Sequence, residues 1–179
     1  MGGAVSGSAD AVSARELTSK KSESKKAARS GRPAEAWRRM GLKQLRRRTE
    51  RSLECAAHSF GEVRAHFLRR PCRSLERTLF GVADSDGNTA VISVVRVTAR
   101  SRSRAIDFKR LIDEHGTGDV RPLATSALGL GGVEVTGYHY GSRRSGSSVV
   151  TAEAENLSGN VGGELLDAAA EVATYLPRS

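Results

Sequence analysis

The chain has 179 residues, 29 Lys and Arg against 20 Asp and Glu, a net charge of +9 and two cysteines, which suffices for one domain with a real core but not comfortably for two. No run reaches the roughly 18 to 20 apolar residues of a membrane-spanning helix. Arg47-Arg48 precedes the charged LECAAHSFGEVRAH rather than the apolar stretch of an export signal, so the expectation is a soluble, cytoplasmic protein.

The charge is uneven along the chain. The first 50 residues hold 13 Lys/Arg against 5 Asp/Glu and the remainder 16 against 15, a basic extension on a nearly neutral body. Residues 1–32 are rich in Ser, Ala, Gly and Lys, with Val5, Val12 and Leu17 as their large apolar residues. They bury too little to offset chain entropy, and a disordered basic tail is expected. Ser30 and Pro33 then mark a helix start. From Trp37 through Gly41, Leu45, Thr49, Leu53, Ala56, Phe60 and Val63 to Phe67 the steps are three or four residues, the spacing of a helical face. This predicts a long basic amphipathic helix over 33–70, its second half packed on the body, ended by Pro71. On such a helix Cys55 and Cys72 would lie about 25 Å apart at 1.5 Å per residue, too far for a bridge. Two free thiols would suit a reducing cytoplasm.

From 71 to 179 the pattern becomes that of an α+β domain. Leu75–Ala83 and Thr89–Thr98 flank an Asp-Gly hairpin signal at 84–88, and Ala105, Phe108 and Ile112 mark the helix that follows. Val133–Tyr140 and Ser148–Glu155 form a second strand pair, followed by a helix carrying Leu165, Ala169, Val172 and Leu176. The whole reads as α+β: a long N-terminal helix followed by two β-β-α units, with an antiparallel sheet of about four strands and helices on one face. The long connection from His115 to Gly132 is expected to hold a short element near Ala124–Leu128.

The basic segment carries the clearest binding signal. Lys25, Lys26, Arg38, Arg39, Lys43, Arg46, Arg47 and Arg48 can contact phosphates without reading sequence, which favours nucleic acid over an acidic protein or membrane surface. This makes the protein a non-enzymatic interaction module; a solvated tail is the bland reading of the same residues. A competing reading, a small enzyme, gathers His115 and Asp119 of the glycine-flanked HGTGDVRP turn, with Cys72 or His139. A third, a structural or self-associating subunit, uses a sheet face bearing Glu134, Tyr138, Tyr140, Glu153 and Glu155. No nucleotide loop, no paired cysteines and no HExxH pattern occurs, so neither a cofactor nor a metal is expected.

PCRSLERTLF, DGNTAVISVVRV, GTGDVRPL, TGYHY and EVATYLP together resemble an uncharacterised domain of many actinomycete hypothetical proteins, over about Ser59 to Arg178. The resemblance implies that this stretch is one unit with a variable preceding arm. It carries no activity and no residue roles.

Overall fold

The computed structural model describes the backbone of residues 5–179 and the side chains from Arg15 onward. In chain order the elements are α1 (Val5–Arg29), α2 (Pro33–Arg39), β1 (Lys43–Ser52), β2 (Ser59–Phe60), α3 (Gly61–Arg69), β3 (Ser74–Ala83), β4 (Thr89–Thr98), α4 (Arg102–Ile112), β5 (Gly118–Val120), β6 (His139–Ser145), β7 (Ser148–Ser158) and α5 (Gly163–Ala173). Short 3-10 turns lie at Ala56–His58 and Thr125–Leu128, the latter where an extra element was expected. The main sheet is antiparallel throughout with order β1-β3-β4-β7-β6, and β2 and β5 form a separate two-stranded ribbon.

The β3–β4 hairpin forms as the sequence predicts. Asp84 Oδ1 accepts from the N–H groups of Asp86 and Asn88 at 3.0 and 2.9 Å, and Gly87 supplies the positive φ of 83° that a side chain would resist. Both strands are almost wholly buried. A helical layer of α1, α2 and α5 covers one side of the sheet, where Trp37 meets Phe80 edge-on at 5.4 Å among Val82, Ile92, Val94 and Ala152. On the other side α3 and α4 bring Val63, Phe67, Ala105 and Phe108 against Leu75, Val95, Val97 and Val149. Ser101 caps α4 by accepting from the Arg104 N–H at 3.1 Å, an N-terminal donor that would otherwise lack a partner.

Four expectations are corrected. The long helix over 33–70 is instead α2, β1, β2 and α3. α2 stops at Met40 because Gly41 turns the chain with φ 80°, and β1 then pairs with β3 from Lys43↔Ala83 to Ser52↔Leu75. No residue of β1 is fully buried; the ladder and cross-strand pairs hold it, Arg51 to Glu76 at 3.0 Å and Thr49 to Thr78 at 3.0 Å. The tail expected to be disordered is helical over Val5–Arg29, while residues 1–4 lie outside the described ones. Ser24, Ala27 and Ala28 are buried, and Lys21 and Lys25 pair with Glu171 of α5 at 2.9 and 2.6 Å. Small side chains let this helix dock closely, with Leu17 as the one large apolar residue of its described side chains packed on the core. Cys55 and Cys72 are not free: they form a disulfide, with Cα atoms 6.1 Å apart, because the chain between them folds back through α3 rather than running straight. The third strand of the body spans His139–Ser145, not Val133–Tyr140, since Gly137 with φ 76° interrupts extended pairing just before it.

Candidate functional site

Strand alternation in β7 puts Thr151, Glu153 and Glu155 on one side of the sheet, and Tyr140 and Ser142 of β6 face the same way through the pairs Tyr140↔Glu153 and Ser142↔Thr151. The turn after α4 closes over them. Thr117 Oγ1 donates to the carbonyls of Leu111 and Glu114, both at 2.8 Å, folding the turn back on the helix end. The β2–β5 ribbon, paired Ser59↔Val120 and Phe60↔Asp119, then carries Asp119 to Glu153. Gly118 is required here: with φ 92°, a Cβ would lie 2.2 Å from the Phe60 carbonyl oxygen.

The result is a cleft of about 360 Å³ lined by Phe60, Asp113, His115, Asp119, Thr136, Tyr140 and Glu153, among others. Asp119 and Glu153 share a hydrogen bond. Burial pushes both carboxyls up, and the neighbouring Asp119 charge and hydrogen bond, with Glu155 behind, raise Glu153 further to about 8. Glu153 therefore keeps a proton near neutrality and donates it to Asp119, whose Oδ1 also accepts from the Val120 N–H at 2.7 Å. The Tyr140 hydroxyl donates to Asp113 Oδ1 at 3.1 Å, and Ser142 donates to the same oxygen. Burial and the Asp113 charge raise the Tyr140 phenol, so it stays protonated. Glu155 accepts from Thr136 Oγ1 at 2.8 Å. Chemically the cleft offers one carboxylic acid hydrogen-bonded to one carboxylate, able to give or take a proton near neutral pH.

Asp119, Tyr140 and Glu153 thus come together, with His115 at the rim and Glu155 just behind. The other residues singled out from sequence do not join them. Cys72 is consumed in the disulfide. His139 points to the opposite side of the sheet, where Nδ1 lies 2.6 Å from Asp167 Oδ1. Tyr138 is 84% exposed and Glu134 is exposed on the preceding loop. Sequence reasoning missed Asp113, which anchors Tyr140 and Ser142; its place in the acidic, glycine-broken DEHGTGD run was the available signal.

The basic residues are spread over α1, α2 and β1, and most have partners. Lys25 is held by Glu171, Lys26 by Glu23 at 3.2 Å, and Arg38 and Arg39 by Glu35 at 3.2 and 2.9 Å. Arg46 donates to the Leu128 carbonyl at 2.8 Å, Arg47 to the Ser179 hydroxyl at 2.5 Å, and Arg48 pairs with Glu50 at 3.0 Å. Lys43 is exposed at the start of β1.

No family model, curated protein or solved structure matches the chain. Among the described residues no group of three or more His, Cys, Asp or Glu is placed to hold a metal ion, and no helix is long and apolar enough to cross a membrane.

Proposed function

We propose that the protein is a non-enzymatic binding module whose basic half contacts phosphate-rich or acidic partners. The observation that supports it is the folding of the +8 segment into α1, α2 and the edge strand β1, the last of which displays a row of cations along one edge of the sheet. Intramolecular pairs neutralise part of that charge, but the excess of cations remains, and Lys43, Arg46, Arg47 and Arg48 are exposed along β1. Arginine on an edge strand also deters pairing with another chain, so binding has to be measured.

The test is salt-dependent binding of the full chain to duplex DNA, single-stranded RNA and anionic vesicles. Contact with six to ten phosphates weakens duplex binding by about 10³ to 10⁵ fold between 50 and 200 mM salt. A Lys43→Gln/Arg48→Gln variant, which spares the Leu128 and Ser179 contacts, binds more weakly with a shallower salt slope. Absence of binding at about 50 mM salt to all three probes rejects the reading.

The enzyme alternative is favoured by one specific observation, the proton shared between Asp119 and Glu153 in a cleft. It requires a turnover lost in Glu153→Gln with the fold intact; a substrate screen that finds none removes it. Localisation belongs to the same proposal. The cytoplasmic expectation rested on the charged stretch after Arg47-Arg48, with free thiols as its second support, and a closed Cys55–Cys72 bridge removes that support and favours an oxidising compartment. There, phosphate-rich surfaces other than nucleic acid come first.

A further inference from the structure

The end of the sheet where β1 finishes and β3 begins differs from the rest of the surface. Ser52 lies opposite Leu75, and Ser74, Thr98, Ser148 and Ser145 follow across the sheet at the same level. The loop leaving β1 displays Leu53 and the last turn of α3 displays Leu68, 76% and 63% exposed. The two leucines line one groove of about 430 Å³ with Arg64, Phe67, Pro71 and Cys72. The Cys55–Cys72 disulfide ties the exit of β1 to the exit of α3 and fixes the leucines relative to each other.

Around them stand Arg64, Arg69, Arg73, Arg100 and Arg102, all exposed and none in an ion pair among the described residues. Nearby carboxylates do little to offset them. Asp107 is held by Arg70 at 2.9 Å, Glu76 is buried against Arg51, and Glu54 and Glu62, exposed and in no ion pair among the described residues, are two against five arginines. Apolar tips inside a ring of cations suit one kind of surface. A nucleic acid would take the arginines but leave both leucines in water, and a second copy of this chain would set five arginines against five.

We infer that this end docks on an anionic lipid bilayer, Leu53 and Leu68 entering the boundary between headgroups and acyl chains while the surrounding arginines bind lipid phosphates. The inference rests on the reading of the protein as a phosphate-binding module and names the partner and the face. It needs no conformational change, because both leucines are already exposed, Leu53 on the loop after β1 and Leu68 in the last turn of α3, at the two chain exits that the disulfide ties together.

The experiment is co-sedimentation of the full chain with vesicles of mixed phosphatidylglycerol and phosphatidylcholine, with phosphatidylcholine vesicles and duplex DNA as comparisons. Binding to the anionic vesicles and not to phosphatidylcholine alone is expected. Arg64→Gln/Arg69→Gln/Arg73→Gln lowers it on the order of 100-fold at low salt, each cation being worth about fivefold at the surface. Leu53→Ser/Leu68→Ser lowers it roughly tenfold or more and leaves DNA binding and the melting temperature unchanged, since neither side chain is buried. Binding to DNA without binding to vesicles overturns the inference and leaves the basic-edge reading standing; binding to neither overturns both. Vesicle binding that ignores the leucines but is lost in Lys43→Gln/Arg48→Gln moves the docking face to β1 and likewise overturns it.

Discussion

Glu153 is the residue whose chemistry departs furthest from its ordinary behaviour while remaining measurable. In the unfolded chain its carboxyl titrates near 4.5, and in the folded protein near 8. Between those values the native state holds a proton that the unfolded state has released, so stability falls as pH rises from about 5 to 8 and levels off above. Below both values the two states bind equally and this contribution vanishes. Glu153→Gln, a neutral isostere that retains a donor, is therefore expected to match the wild type near pH 5 and to exceed it by about 1–3 kcal/mol near pH 8, read from urea midpoints at the two pH values. A wild-type curve flat across that range removes the shared proton. A second residue, Gly118, acts through the backbone alone. Its φ of 92° and the 2.2 Å approach that a Cβ would make to the Phe60 carbonyl make Gly118→Ala cost about 2–4 kcal/mol. Because the strain breaks the β2–β5 ribbon that delivers Asp119, the same variant should also lose the pH dependence carried by Glu153.

At the scale of elements, what was legible in the sequence follows from whether the signal is local. The β3–β4 hairpin carries its own turn chemistry in Asp84 to Asn88 and its own β-branched strands, and α4 has a cap at Ser101 and a buried stripe at Ala105, Phe108 and Ile112. β1 has neither. Its exposed, arginine-rich alternation has no apolar face, and it is a strand only because β3 offers an unpaired edge. α1 was illegible for a related reason: among its described side chains the fully buried ones are Ser24, Ala27 and Ala28, with Leu17 only partly buried on the core, residues too small and sparse for patterning to tell from tail. The carboxyl pair fared likewise, since Asp119 and Glu153 were each visible but their meeting depends on the ribbon. Two measurements check the misread elements. Deleting residues 1–32 uncovers the α1 side of Trp37's cluster and is expected to lower Tm by about 5–10 °C, whereas a disordered tail would change nothing. Replacing both cysteines by serine opens a loop with a sequence separation of 17 and is expected to cost about 3 kcal/mol. Before reduction, a thiol titration of the denatured protein should find no free cysteine.

For the whole molecule, the strand order has an electrostatic consequence. β1 carries exposed cations along one edge of the sheet, and the carboxyl-lined cleft is built on the residues where β6 begins and their partners in β7, so a chain of net charge +9 has a local acidic field at the cleft. Such a molecule approaches an anionic bilayer in a preferred orientation, with the end bearing Leu53, Leu68 and the exposed arginines leading and the cleft trailing, because the field falls off over a Debye length of about 10 Å at 0.1 M salt. The orientation is open to footprinting. When the full chain is saturated with anionic vesicles, phenylglyoxal modification of Arg64 and Arg73, exposed at the leucine-bearing end, should be suppressed several-fold relative to the free protein. Carbodiimide labelling of Glu114, exposed at the cleft, should be unchanged. Raising salt from about 50 to 200 mM should restore modification of these arginines in step with release from the vesicles. Equal protection at both places would mean that the bound protein has no preferred orientation, and protection of Glu114 alone would reverse it. Under the predicted orientation, the cleft with its carboxyl pair faces solution while the protein is attached, free to take a second ligand.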